Sequence, residues 1–128
     1  MKALVIDDSK FQRLAIQRAL VRAGHDVITA DDGEAGLRAA AQSQPEVVIL
    51  DMMLPKVTGV DVLRTLRSSE NTQSIPVIIL TGLSEKNRDK LIAEGATAFV
   101  EKSTALAEGD CAPLLEVIGG LSRARTSR

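Results

Sequence analysis

Three acids, a hydroxyl and an ammonium occupy equivalent places in this sequence, each at or just past the end of a short apolar run. Ala3-Leu4-Val5-Ile6 leads into Asp7 and Asp8, and Val47-Val48-Ile49-Leu50 into Asp51. Val77-Ile78-Ile79-Leu80 leads into Thr81, and Ala96-Thr97-Ala98-Phe99-Val100 is followed one residue later by Lys102. Brought to one rim, three carboxylates repel one another, and the cheapest remedy is a hard divalent cation. Mg²⁺ takes oxygen ligands, keeps several waters and commonly binds one or two carboxylates together with a phosphate; Mn²⁺ suits the same donors. A carboxylate beside such an ion is a competent nucleophile toward phosphorus, the product being an acyl phosphate. Charge on the transferred group would then be met by the cation and Lys102, and Thr81 could donate a hydrogen bond to a phosphoryl oxygen.

Taken singly, each residue has an ordinary reading. Asp7-Asp8-Ser9 suits a helix start, since acids favour that end of the dipole; Thr81 suits a turn, and Lys102 a solvated surface. Asp51 is the hardest to dismiss, because a carboxylate straight after Val-Val-Ile-Leu has poor access to water and needs a partner or a purpose. Chemistry therefore needs the whole set and the elements that position it.

Four of those elements are the apolar runs, which are continuous rather than alternating. Such runs suit strands covered on both faces, as in a parallel sheet. Asp26–Ala30, more polar at both ends, reads as a fifth strand at an edge. Helical segments lie between them. Ser9 to Ala23 repeats Phe11, Ala15, Ile16, Ala19, Leu20 and Ala23 on one stripe, with Ser9 as N-cap and Gly24 as stop. Gly33 to Gln42 is Ala-rich and ends before Pro45. Val60 to Ser68 follows Gly59, and Ser84 can cap a helix through Glu94 that Gly95 stops. The last helix, capped by Asp110 with Pro113 in its first turn, is expected to be short or frayed. Gly119 and Gly120 each weaken it by about 1 kcal/mol relative to Ala. Five β-α units imply a parallel sheet with helices on both faces and right-handed crossovers. Ligands of such a sheet sit beyond the carboxyl ends of the strands, where the five chemical groups fall.

The chain has 128 residues, 45% hydrophobic and 2% aromatic, which fits one domain packed by aliphatic side chains. We expect that domain over 1–122, followed by a basic tail, 123–128, without fixed structure. The net charge of −1 gives no field to gather nucleic acid, and no apolar stretch approaches the ~20 residues that span a bilayer. The single cysteine, Cys111, excludes an intrachain disulfide and suits the cytoplasm. His25, the sole histidine, is expected in a solvated turn.

In their order and spacing, Val5-Ile6-Asp7-Asp8-Ser9, Ile49-Leu50-Asp51-Met52-Met53-Leu54-Pro55 with Gly59, Ile79-Leu80-Thr81-Gly82 and Phe99-Val100-Glu101-Lys102 resemble a response-regulator receiver domain of the CheY-like family. The resemblance implies an α/β fold, a single three-layer doubly wound (βα)5 domain with a five-stranded parallel sheet in the flavodoxin-like order 2-1-3-4-5. It implies Asp51 as acceptor of a phosphoryl group from a histidine kinase or a histidine phosphotransfer protein. Asp8 would be a direct Mg²⁺ ligand, Asp7 a ligand through water, and Met53 a ligand through its backbone carbonyl. Thr81 would be the switch hydroxyl, Phe99 the aromatic switch and Lys102 the partner of the phosphate. The expected role is a stand-alone signalling module without separate substrate turnover, acting by protein–protein contact; the alternative is an adaptor of the same fold that works without phosphorylation.

Two departures from the family pattern stand out. Ser103 follows Lys102 where the family usually has proline, so we expect a trans bond there, a cis bond before a non-proline residue costing about 2.5–4 kcal/mol. The link from Thr104 to Ala112 is also longer than usual. Met53 and Leu83, two residues beyond Asp51 and Thr81, are apolar and cannot orient an attacking water. We therefore expect a comparatively long-lived acyl phosphate.

Overall fold

The structure, a computed structural model, describes residues 1–52, 58–81, 88–102 and 111–126, with only the backbone of Thr81, Arg88 and 122–126. Strands β1 (Lys2–Ile6), β2 (Asp26–Ala30), β3 (Val47–Asp51), β4 (Val77–Thr81) and β5 (Ala98–Glu101) alternate with helices. The helices are α1 (Lys10–Arg22), α2 (Gly33–Ser43), α3 (Gly59–Ser68), α4 (Arg88–Ala93) and α5 (Ala112–Thr126). All neighbouring strands pair in parallel, in the order β2-β1-β3-β4-β5. The expected doubly wound α/β domain is thus the one observed.

The continuous apolar runs fill two cores, one on each face of the sheet, because successive strand residues point to opposite sides. Ala3, Val5, Val47, Ile49, Ile78, Leu80 and Val100 pack with Ile16, Ala19 and Leu20 of α1 and Leu114 and Ile118 of α5. On the other face, Leu4, Ile6, Val48, Leu50, Val77 and Ile79 pack with Ala40 of α2, Val62, Leu63 and Leu66 of α3 and Leu91 of α4. Register carries the chemistry to one rim. Ile6 pairs with Leu50, Asp51 with Leu80 and Thr81 with Glu101, so the four strand ends that bear reactive groups finish together.

Local signals set the helix starts. Ser9 Oγ accepts the Gln12 N–H at 3.3 Å, Asp32 Oδ1 the Ala35 N–H at 2.7 Å, and Thr58 Oγ1 the Asp61 N–H at 3.3 Å. Gly95, with φ at +107°, closes the turn after α4 in a conformation that L side chains rarely adopt.

The last helix corrects the expectation. It runs over 15 residues to Thr126, straight through Gly119 and Gly120, and takes in most of the basic tail. Leu115, Val117 and Leu121 lie against the α1-side core, and burial beyond the glycine pair outweighs the weak helix preference of the pair. One smaller expectation shifts as well. His25 is half-buried rather than solvated, its Nδ1 3.1 Å from the Met1 amino nitrogen. Cys111 is buried immediately before α5 at φ +56°, and its carbonyl accepts the Leu115 N–H at 3.0 Å. The proposed caps Ser84 and Asp110 lie outside the described residues. No helix among the described residues is long and apolar enough to cross a membrane.

Candidate functional site

Asp7 follows β1 at the point where the sheet order reverses, β1 being flanked by β2 on one side and β3 on the other. Its side chain is fully buried, and Asp51 at the end of β3 is 1% exposed, whereas Asp8 is exposed. One carboxylate oxygen from each of the three acids lies within 4.8 Å of the others. Two buried acids and one open to solvent therefore stand together at the carboxyl end of the sheet.

Lys102 closes the other side. Its Nζ stands 2.7 Å from Asp51 Oδ1, with the lysine side chain 17% exposed. The contact is short, as expected of a charge-assisted hydrogen bond, and it meets the need for a partner that burial imposes on Asp51.

Asp7 is held differently. Its Oδ1 accepts the Ser9 N–H at 2.8 Å, while its buried Oδ2 meets no donor among the described residues. The nearby Asp51 carboxylate offers only more acceptors. Burial pushes the Asp7 carboxyl up to about 6; the Ser9 amide opposes the rise, the neighbouring Asp51 carboxylate adds to it, and Lys102 opposes it. An orphaned buried oxygen beside a second carboxylate is satisfied by a proton or by a cation. The donor set, all oxygen and partly open to water, fits a hard divalent ion such as Mg²⁺.

Of the residues singled out from the sequence, the structure brings Asp7, Asp8, Asp51 and Lys102 together. Thr81 ends β4, next to the Asp51 strand, but its side chain is not among those described. Met53, with its carbonyl, lies outside the described residues, as do Leu83 and the Ser103 side of the Lys102–Ser103 bond. Phe99 is half-buried in β5, packed against the α3-side core and paired in register with Ile79.

One residue of the motif and one outside it complete the surroundings of the site. Gly59 is needed for closeness: a Cβ there would sit 2.9 Å from Met52 Cα and 3.1 Å from the Asp51 carbonyl oxygen, both backbone atoms that cannot give way. The first residue of α3 thus seats directly behind Asp51. Arg13, on α1, donates from Nη1 to the Asp7 carbonyl at 2.8 Å. Its place five residues beyond Asp8 was the only signal available.

Comparison with known proteins agrees with this fold. The alkaline phosphatase synthesis transcriptional regulatory protein PhoP of Bacillus subtilis is 40% identical over 85 residues, 66% of this chain but only 35% of that regulator. The receiver domain of the Francisella response regulator 1452 superposes with a TM-score of 0.84 at 26% identity, covering 97% of this chain and 98% of that one. The receiver domain of the sensor histidine kinase PA1611 from Pseudomonas aeruginosa, solved with a magnesium ion coordinated in its active-site cleft, superposes with a TM-score of 0.71 at 25% identity over 79% of this chain and 84% of that one. The family description "response regulator receiver domain" matches residues 3–110, and the chain belongs to this family.

Proposed function

We propose that Asp51 accepts a phosphoryl group from the phosphohistidine of a kinase or phosphotransfer protein, with Mg²⁺ bound by Asp8, Asp51 and, through water, Asp7. The observation that carries this reading is the pairing of a buried Asp51 with Lys102 at 2.7 Å beside two further carboxylates. The magnesium-bound cleft of the PA1611 receiver supports the choice of ion. When bound, Mg²⁺ supplies positive charge to the phosphoryl oxygens and relieves the repulsion among the acids.

The chain's own residues do the rest. A carboxylate oxygen of Asp51 bonds to phosphorus as the bond from phosphorus to the donor imidazole breaks, and the imidazole leaves with that electron pair. The carboxylate charge of Asp51 is thereby replaced by the charge of the phosphoryl group, and Lys102 moves its ion pair from the one to the other. Thr81, ending the adjacent strand, would donate to a phosphoryl oxygen and so draw its loop inward, with Phe99 following. Nothing in this scheme turns over a separate substrate; the output is a changed protein-binding surface in the cytoplasm.

Incubation with a small phosphodonor and Mg²⁺, read by intact mass, tests the reading. Wild type should gain one phosphoryl group and Asp51→Asn none, and chelation of the metal should abolish the gain. A wild-type protein that stays unmodified, and is unchanged by beryllofluoride with Mg²⁺, would instead be the phosphorylation-independent adaptor.

A further inference from the structure

The segment Asp7-Asp8-Ser9 is held from three directions. The Asp7 N–H donates to the Ala30 carbonyl at 3.1 Å, and the Asp7 carboxylate accepts the Ser9 N–H. The Asp7 carbonyl accepts from Arg13 Nη1 at 2.8 Å. The first two bonds follow from a strand that ends beside another and a loop that turns into a helix. The third depends on one side chain whose type neither element requires.

Arg13 lies four residues beyond the N-cap Ser9. Helical side chains slant toward the N-terminus, so a long one at this position reaches back over the loop that precedes the helix. A cation here runs against the helix dipole, which favours acids at this end. The other two capped helices obey that preference, with Glu34 in the first turn of α2 and Asp61 in that of α3, whereas α1 has no acid in its first turn and carries Lys10 there, with Arg13 next to it. The exception is the helix that opens beside three carboxylates.

Resting on the reading of this cleft as a divalent-cation site, we propose that Arg13 is a positioning residue for the Asp7–Asp8 pair. By holding the Asp7 carbonyl it fixes the plane of the Asp7–Asp8 peptide, and with it the direction in which Asp8 presents its carboxylate to the ion. Arg13 touches neither the ion nor the phosphoryl group; it acts through the backbone.

The test is Mn²⁺ titration of the full chain, followed by water-proton relaxation, on wild type, Arg13→Met, Arg13→Lys and Asp8→Asn. Arg13→Met keeps the length and removes the donors, and should weaken binding about tenfold, the low end of what loss of an outer-shell partner costs. Arg13→Lys, with a donor restored on a shorter stem, should fall between the two. The Mg²⁺ concentration giving half-maximal phosphorylation should rise by the same factor in Arg13→Met while the rate at saturating Mg²⁺ stays near wild type, a split that mere loss of stability does not produce. The proposal is overturned if Arg13→Met binds Mn²⁺ like wild type while Asp8→Asn loses it. It is equally overturned if Arg13→Met is impaired at saturating metal in step with a lowered unfolding midpoint. Absence of Mn²⁺ binding by wild type would remove the functional reading, and this one with it.

Discussion

Two places in this molecule withdraw charge from water, and they handle it in opposite ways. At the corner between α3 and β5, the Arg67 guanidinium donates from Nε and Nη2 to the Gly95 carbonyl at 3.0 and 2.8 Å, and from Nη1 to the carbonyls of Ile75 and Gln73 at 2.7 and 3.0 Å. Burial alone pulls its pKa down, and four hydrogen bonds offset that burial. At the carboxyl rim, Asp7 is more deeply buried, yet one of its oxygens has no donor among the described residues. A satisfied buried charge ties elements together; an unsatisfied one keeps a place for something that arrives later. The first corner is architecture, and the second fits an incoming cation.

The sharpest way to break that distinction is to remove both charges and compare stability. Arg67→Met strips three carbonyls of their donor and should cost about 3 kcal/mol in denaturant unfolding, since bonds to charged groups are worth about 1.5–3 kcal/mol each before relaxation and water replace part of them. A cost below about 1 kcal/mol would show that water serves the corner as well as the arginine does.

Asp7→Asn should move stability the other way. The folded pKa of Asp7 is raised from 3.8 to about 6, so the folded state holds this proton more tightly than the unfolded chain. The penalty for ionising Asp7 is absent below pH 3.8, grows as pH rises to about 6, and is complete above it. In metal-free buffer above that pH, the variant should therefore be more stable than wild type by on the order of 2–3 kcal/mol, from about 1.4 kcal/mol per pKa unit. The gain should vanish in acid. Unfolding curves at several pH values check the sign, and a uniform gain would assign the effect to packing instead of charge.

The smallest effect belongs to a neighbour of the first corner. Arg64 makes a bidentate pair with Glu94 at 2.7 and 2.8 Å, but the arginine side chain is 53% exposed. Glu94→Gln should leave the unfolding midpoint within experimental error, because solvent screens such a pair. A clear loss there would mean that exposed and buried ties at this corner act as one unit.

Much of this was legible beforehand, for identifiable reasons. The strands announced themselves because burial on both faces leaves no room for alternation, and Asp7, Asp8, Asp51 and Lys102 because the groups follow their strands directly. Two helix caps could have been read more closely: Asp32 stands immediately before Gly33, and Thr58 with Asp61 has the spacing of a reciprocal cap, Thr58 Oγ1 lying 2.9 Å from Asp61 Oδ2. The length of α5 was misjudged because propensity is local, whereas the packing that carries the helix past Gly120 is not. Arg67 left no trace in the sequence at all. Its acceptors come from two separate loops, and no periodicity links a helix residue to backbone carbonyls brought near it only by folding.

The strand order has a consequence for how the protein is made. A ribosome delivers β1, α1 and β2 first, so one side of β1 can be covered early, while its other side waits for β3. Parallel pairings between distant segments form slowly, and Lys102 emerges later still. A product whose translation stops before Val47 carries Asp7 and Asp8 without Asp51 or Lys102, and its acid cluster is incomplete. The acid cluster and its lysine partner are complete only once β5 has emerged, as one step with closure of the sheet.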